Sequence, residues 1–223
     1  MTQDQLDALF TLDMTAKAFI ILVVIYGTSI HEMAHAYVAT WLGDPTPGRH
    51  GRLTLNPIPH LQPVITAVIA PVLIYLSSNS AFGLATTPID PTRFRNPLRD
   101  RALVAVAGPV MNFLLAGLII GVLWIPGVYT FDGNTGTTTY TTQVLFHAAL
   151  WEIVIGIFNL LPIPPLDGSE IVRIILPFGL RRQMDALRQM GPMVFLLPLF
   201  LGSYIFRYVE GPLLYYYIKL LPH

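Results

Sequence analysis

The sequence predicts an all-α polytopic membrane protein of about four to six transmembrane helices, with a re-entrant segment and short β-strand elements near the functional site. Three observations carry this. Hydrophobic residues fill 53% of the 223 positions and charged ones 12%, about half the ~25% charged content of ordinary soluble domains. Several apolar runs reach the ~20 residues that cross a bilayer as a helix. Between them lie Pro- and Gly-rich polar stretches of the kind that end a helix. Net charge is zero and cysteine is absent. Nothing therefore singles out nucleic acid as a partner, and disulfides and thiolate metal sites are excluded.

The elements follow in order. The N-terminus MTQDQLDALFTLDMTAK is acidic before its apolar run and has no small-residue cleavage site. It makes a poor signal peptide, so residues 1–17 read as a short extracytoplasmic tail and the first span as retained. Residues 18–42 form one apolar run closed by Gly43-Asp44-Pro45, long enough to span at ~1.5 Å per residue. GDPTPGRHGRLTLNPIP, residues 43–59, is a polar loop with a strand-like piece from Arg52 to Leu55. Residues 61–77 are apolar but short, and Pro63 and Pro71 interrupt them. AFGLATTPIDPTRFRNPLRDR is irregular and arginine-rich. A strong span from Ala102 to Trp124 contains AGPVMN. FDGNTGTTTYTTQ is a polar loop without Lys or Arg, and the next span, 144–163, runs straight into PIPPLDG. The 164–191 loop carries Arg173, Arg181, Arg182 and Arg188. A last hydrophobic stretch begins at 193–206 and is broken by Arg207, Glu210 and Gly211-Pro212. Whether residues 193–221 make one span or a hairpin is open. Residues 18–175 thus form a membrane-embedded core, and 176–223 a cytoplasmic loop with a C-terminal hydrophobic segment. Tyr215, Tyr216 and Tyr217 read as an aromatic anchor at the membrane surface.

Two arguments make residues 61–77 re-entrant. If they dip in and return, all ten arginines from Arg49 to Arg188 fall on one side and the Thr-rich loop on the other. The positive-inside rule then places the arginines in the cytoplasm. Prolines at membrane depth also suit a segment shielded by protein or lining a wet cavity.

The second argument comes from chemistry. In SIHEMAHAYV, His31 and His35 stand four residues apart, one above the other on a helix face, and can grip one ion together. Glu32 points about 100° from His31, within reach of a water on that ion. This HExxH pattern belongs to zinc hydrolases. The plainer reading, two histidines packed between helices, is weakened by the cost of ionisable groups in a membrane. Catalytic zinc takes a third protein ligand; the candidates are Asp44, His50, His60, His147, Glu152 and Asp167. Asp167 stands out because three prolines break a span just before it. PIPPLDG also reads as a mere helix stop and polar turn. His31, His35 and Asp167 meet only if their two spans end on the same side, which the re-entrant segment provides. Glu152 and His147 read as interfacial residues, near the outer Thr-rich loop where polar groups cost little.

The chain resembles the site-2 protease family of intramembrane zinc metalloproteases, in its compact prokaryotic branch. HEMAH at 31–35, AGPVMN at 107–112 and NLLPIPPLDG at 159–168 carry the resemblance, with GRLTLNP at 51–57 and RFRNPLRDRALVAVAGP. It implies His31, His35 and Asp167 as ligands of one Zn²⁺ per chain, Glu32 as catalytic base, and Asn159 as a residue that holds substrate or orders the site. Asn112, the last residue of AGPVMN, joins it as a site-ordering candidate. The implied substrates are membrane-spanning proteins cut within or beside the bilayer. The chain departs from many relatives at Gln62, where they carry an aspartate, and in FGLATTP, where they often have a Trp and a Lys. Both departures concern substrate recognition. Larger relatives add a PDZ or nucleotide-sensing CBS domain, for which 223 residues leave no room; regulation then falls to partner proteins or prior trimming of the substrate.

The expectation is a zinc endopeptidase of the plasma membrane, multi-pass, with its site toward the cytoplasm. A helical substrate must unwind to expose a carbonyl, and an edge strand near Arg52 to Leu55 is a candidate to hold it. The competing class is a non-proteolytic zinc-binding membrane protein, a transporter or pseudoenzyme scaffold. A transporter would show repeated half-units, and a pseudoenzyme a lost ligand or base. Substrate, organism and oligomeric state stay open.

Overall fold

The computed structural model describes residues 14–60, 87–132, 137–189, 212–213 and 215–221. Three helices are long and apolar enough to cross a membrane: α1 (Met14–Trp41), α4 (Pro97–Leu123) and α5 (Tyr140–Asn159). The short helices α2 (Thr46–Arg49) and α3 (Pro57–His60) follow α1. After α5 come α6 (Asp167–Val172) and α7 (Phe178–Gln189). The stretches at 61–77 and 193–206 lie outside the described residues, and with them the expected re-entrant segment and any span expected beyond these three.

Helix boundaries moved for local reasons. α4 begins five residues before the apolar run, because Pro97 suits the first helical position and Asp100 accepts the Asn96 N–H at 2.9 Å. Thr139 starts α5 ahead of its apolar core, its hydroxyl accepting the Thr142 N–H. The 164–191 stretch is not plain loop. It folds into α6 and α7, pinned by Arg173 on Asp185 (2.5 and 2.9 Å) and by Arg101 on Glu170 (2.7 Å).

The three long helices pack with α4 at the centre, against α1, α5 and α6. Small residues face inward: Ala34, Ala36 and Ala39 on α1, Ala102, Ala105 and Gly108 on α4, Ala148 and Ala149 on α5. Large apolar residues such as Phe19, Leu22, Leu114 and Leu118 are exposed, as lipid-facing positions should be. Lipid is as apolar as leucine, so membrane helices associate through close backbone approach rather than burial of bulk.

The strand expected at Arg52 to Leu55 is not there. Residues 53–55 form bends. The Thr54 carbonyl is taken by His60 Nε2 (2.9 Å), the Asn56 N–H by Thr54 Oγ1 (3.1 Å) and the Ile58 N–H by Asn56 Oδ1 (3.0 Å). Such local side-chain bonds outcompete a ladder. Among the described residues, β1 (Phe131–Asp132) pairs only with β2 (Thr137–Thr138), between α4 and α5 and so at the end of the helices away from Asp167. The tyrosines also divide. Tyr215 and Tyr216 are exposed as expected, but Tyr217 is buried and donates to the Phe146 carbonyl at 2.7 Å.

The chain leaves α1 and returns to the same end. Asp44, just past α1, accepts the Asp90 N–H at 2.7 Å, and the Thr87 hydroxyl reaches Glu32 on α1, so the chain after residue 86 packs back beside the end of α1. The end of α5 lies there too, and the site forms at this end.

Candidate metal centre

His31 and His35 share a face of α1, their ring centroids 4.6 Å apart. His35 Nδ1 donates to the Val104 carbonyl (2.7 Å) and His31 Nδ1 to Asn112 Oδ1 (2.5 Å), both on α4. A carbonyl or amide oxygen only accepts, so each ring carries its proton on Nδ1 and a lone pair on Nε2. These two Nε2 atoms stand 2.9 Å apart. Asp167 Oδ2 lies 3.2 Å from one and 3.3 Å from the other. It is buried and has no hydrogen-bond partner.

Three electron-pair donors with no proton between them repel unless a cation joins them. Donors ~2 Å from one ion at tetrahedral angles stand about 3.3 Å apart; Asp167 Oδ2 meets that spacing to both rings, and the two Nε2 atoms are closer at 2.9 Å. The residues fit a divalent metal. Each histidine's second nitrogen is also held by an acceptor, as metal-ligating histidines require.

Backbone placement makes this convergence possible. Gly108 lets α4 approach; a Cβ there would overlap His31 Nε2 and stand 2.5 Å from His35 Nε2. Asp167 is the first residue of α6, and Gly168 lies against the Leu160 carbonyl, where a Cβ would overlap backbone.

Glu32 completes the group. One ligand atom from each of His31, Glu32 and His35 falls within 4.8 Å of the others. Its Oε2 accepts from the Thr87 hydroxyl at 2.6 Å. The centre opens on a cavity of about 280 Å³, lined among others by Thr28, Glu32, Thr87, Arg101, Asn159 and Glu170. Asn159 borders this cavity while its Nδ2 donates to the Ile155 carbonyl of its own helix (3.0 Å).

Of the six candidate third ligands, Asp167 alone reaches the histidines. Asp44 binds backbone N–H groups. His50 faces Thr46, His60 faces Thr54 and His147 faces Gln143. Glu152 was placed wrongly by the sequence: it is not interfacial but 1% exposed, and it accepts from Asn112 Nδ2 at 2.5 Å. The sequence signal for it was a carboxylate in an apolar span, which is costly unless partnered. Gly108 lies within AGPVMN and Thr87 within FGLATTP, but neither residue was singled out inside its stretch, since the importance of each lies in what it approaches.

Around the rim, Glu170 receives Arg101 and Arg188, and Arg188 also donates to Ser169 Oγ (2.6 Å). Burial, then repulsion from Arg101, pulls the Arg188 guanidinium down to about 10.

These features define a zinc metalloprotease of the membrane-embedded kind, and the chain belongs to peptidase family M50, the site-2 protease family, whose model matches residues 78–199. It is similar to "Putative zinc metalloprotease YwhC" of Bacillus subtilis, 37% identical over 191 residues, covering 84% of this chain and 83% of that one. It is also similar to "Putative zinc metalloprotease Rip2" of Mycobacterium tuberculosis H37Rv, 30% identical over 208 residues (86% and 71%). The Mycolicibacterium smegmatis protein of that name is 30% identical over 142 residues, covering 62% of this chain and 50% of its own length. No solved structure matches the chain. Zinc is the metal of this family.

Proposed function

We propose that the protein is an intramembrane endopeptidase that hydrolyses peptide bonds of membrane-spanning substrates within or beside the bilayer, in regulated intramembrane proteolysis. The observation that carries this reading is the meeting of three unprotonated donors, His31 Nε2, His35 Nε2 and Asp167 Oδ2, beside Glu32 on a cavity at the end of membrane-length helices.

His31, His35 and Asp167 would hold the zinc. Bound there, zinc supplies Lewis-acid chemistry, acidifying water and polarising a carbonyl. Glu32 takes the proton of the attacking water and returns it to the leaving amine. The Thr87 hydroxyl donates to Glu32 Oε2, holding that carboxylate to one rotamer and leaving its other oxygen for the proton. Asn159 and Arg101 border the cavity where an unwound substrate segment would lie. The arginine-rich end faces the cytoplasm of a plasma-membrane protein by the positive-inside rule, and water reaches the site from that side.

The test pairs zinc content with cleavage of single-span substrates in detergent. Wild type is expected to hold one zinc and cut. Glu32→Gln should keep the metal and lose ~10²–10⁴ in rate, and Asp167→Ala should lose both. Undiminished cleavage by Glu32→Gln sinks the base assignment; a full complement of zinc in Asp167→Ala sinks the ligand set.

A further inference from the structure

A carboxylate inside a membrane helix bundle is costly, and its surroundings state its use. Glu152, midway along α5, is 1% exposed. It presses against α1, where a Cβ at Gly27 would overlap its Oε1. Its Oε2 accepts from Asn112 Nδ2 at 2.5 Å. Asn112, fully buried on α4, turns its other amide atom, Oδ1, to His31 Nδ1 at 2.5 Å.

We infer that Glu152 and Asn112 are positioning residues that fix the His31 proton on Nδ1 and so present Nε2 to the metal. This rests on the zinc reading above. An asparagine amide has a donor end and an acceptor end of nearly the same shape. Packing alone would not choose between them. Glu152 Oε2 accepts from Asn112 Nδ2, which commits the NH₂ end to Glu152, and Oδ1 is left facing His31. The imidazole must then donate from Nδ1. With the amide reversed, its NH₂ would meet Nδ1, the ring proton would move to Nε2, and that nitrogen could not bind a metal. His35 needs no such device, because its Nδ1 meets the Val104 carbonyl, which has no alternative orientation. Three residues on three helices, α1, α4 and α5, thus set one tautomer.

The test measures zinc affinity by chelator competition in detergent, with thermal unfolding as the check on folding. Glu152→Met and Asn112→Asp should each weaken zinc binding ~10–100-fold, the usual cost of losing a group that orients a metal ligand. In Asn112→Asp two carboxylates face each other. Adding Glu152→Gln supplies an amide donor to one Asp oxygen and frees the other for His31 Nδ1–H. The double variant should therefore recover zinc affinity to within about threefold of wild type, a recovery that loss of packing cannot produce. If Glu152→Met does not fold, the comparison of Asn112→Asp with the double variant decides alone. Wild-type affinity in Glu152→Met, or a double variant no better than Asn112→Asp, overturns the relay. His31→Ala separates the two levels. If it loses zinc while Glu152→Met keeps it, only the relay fails; if it binds zinc like wild type, the metal site fails and the relay with it.

Discussion

Glu32 shows how much a single side chain's role depends on one neighbour. HExxH spacing puts it beside the histidines, but the hydroxyl of Thr87 at 2.6 Å is what orients its carboxylate. A hydrogen bond to a charged group contributes about 1.5–3 kcal/mol. Thr87→Val is therefore expected to lower kcat roughly tenfold or more while zinc content stays at one per chain, measured by metal analysis beside a cleavage assay. Equal losses of zinc and rate would assign Thr87 to the metal site instead. At this scale the sequence was legible where spacing carries chemistry: His31, Glu32 and His35 lie within five residues, and helix geometry does the rest. Thr87 sits 55 residues from Glu32, in the FGLATTP stretch that the sequence marked only as a departure from relatives, so nothing local tied it to Glu32.

Among the elements, glycine decides how closely α4 comes to the site. An alanine at position 108 would gain ~1 kcal/mol in helix propensity over glycine, so a propensity argument predicts stabilisation. The Cβ would instead occupy the space between His31 Nε2 and His35 Nε2. Gly108→Ala should lower zinc affinity at least tenfold, a loss of the size that disturbing a metal ligand brings, as read by chelator competition. Gly121, on the same helix with no heavy atom within 4 Å of a Cβ, is the control: Gly121→Ala should leave zinc binding unchanged and raise stability by up to ~1 kcal/mol. Gly168→Ala would force α6 away from the Leu160 backbone and carry Asp167 off the histidines; its zinc content should fall toward that of Asp167→Ala. Hydropathy located α1, α4 and α5 but not their ends, because Thr139 and Pro97 start helices through capping geometry rather than apolar content. It failed outright at Arg52 to Leu55, where local side-chain bonds to the backbone replaced the expected strand.

For the whole molecule, the centre joins α1 to α6 and so couples metal binding to stability. A ligand that binds only the folded state stabilises by RT ln(1 + [L]/Kd), about 2.7 kcal/mol at a hundredfold excess over Kd. Chelation should lower Tm by roughly 5–10 °C and zinc should restore it, whereas the Tm of His31→Ala should ignore both treatments. Acid should act elsewhere. The hydrogen bond from Arg173, opposed by burial and aided by its charge, holds the Asp185 carboxyl below its ordinary 3.8. A depressed carboxylate stabilises the fold above its unfolded pKa and loses that contribution as pH falls through the folded one. The docking of α7 should accordingly be constant above pH ~4 and loosen below it, seen as faster amide exchange in residues 178–189; Asp185→Asn should show the loosening already at neutral pH. What the sequence by itself determined is the membrane class, the three described spans and the HExxH face, because hydropathy and helical periodicity are local properties. The resemblance carried by NLLPIPPLDG already implied Asp167 as the third ligand; tertiary structure alone decided that Glu152 is buried against Asn112 rather than interfacial, and where α4 can approach. Those depend on contacts between residues tens of positions apart, and only the packed helices bring them within a hydrogen bond's reach.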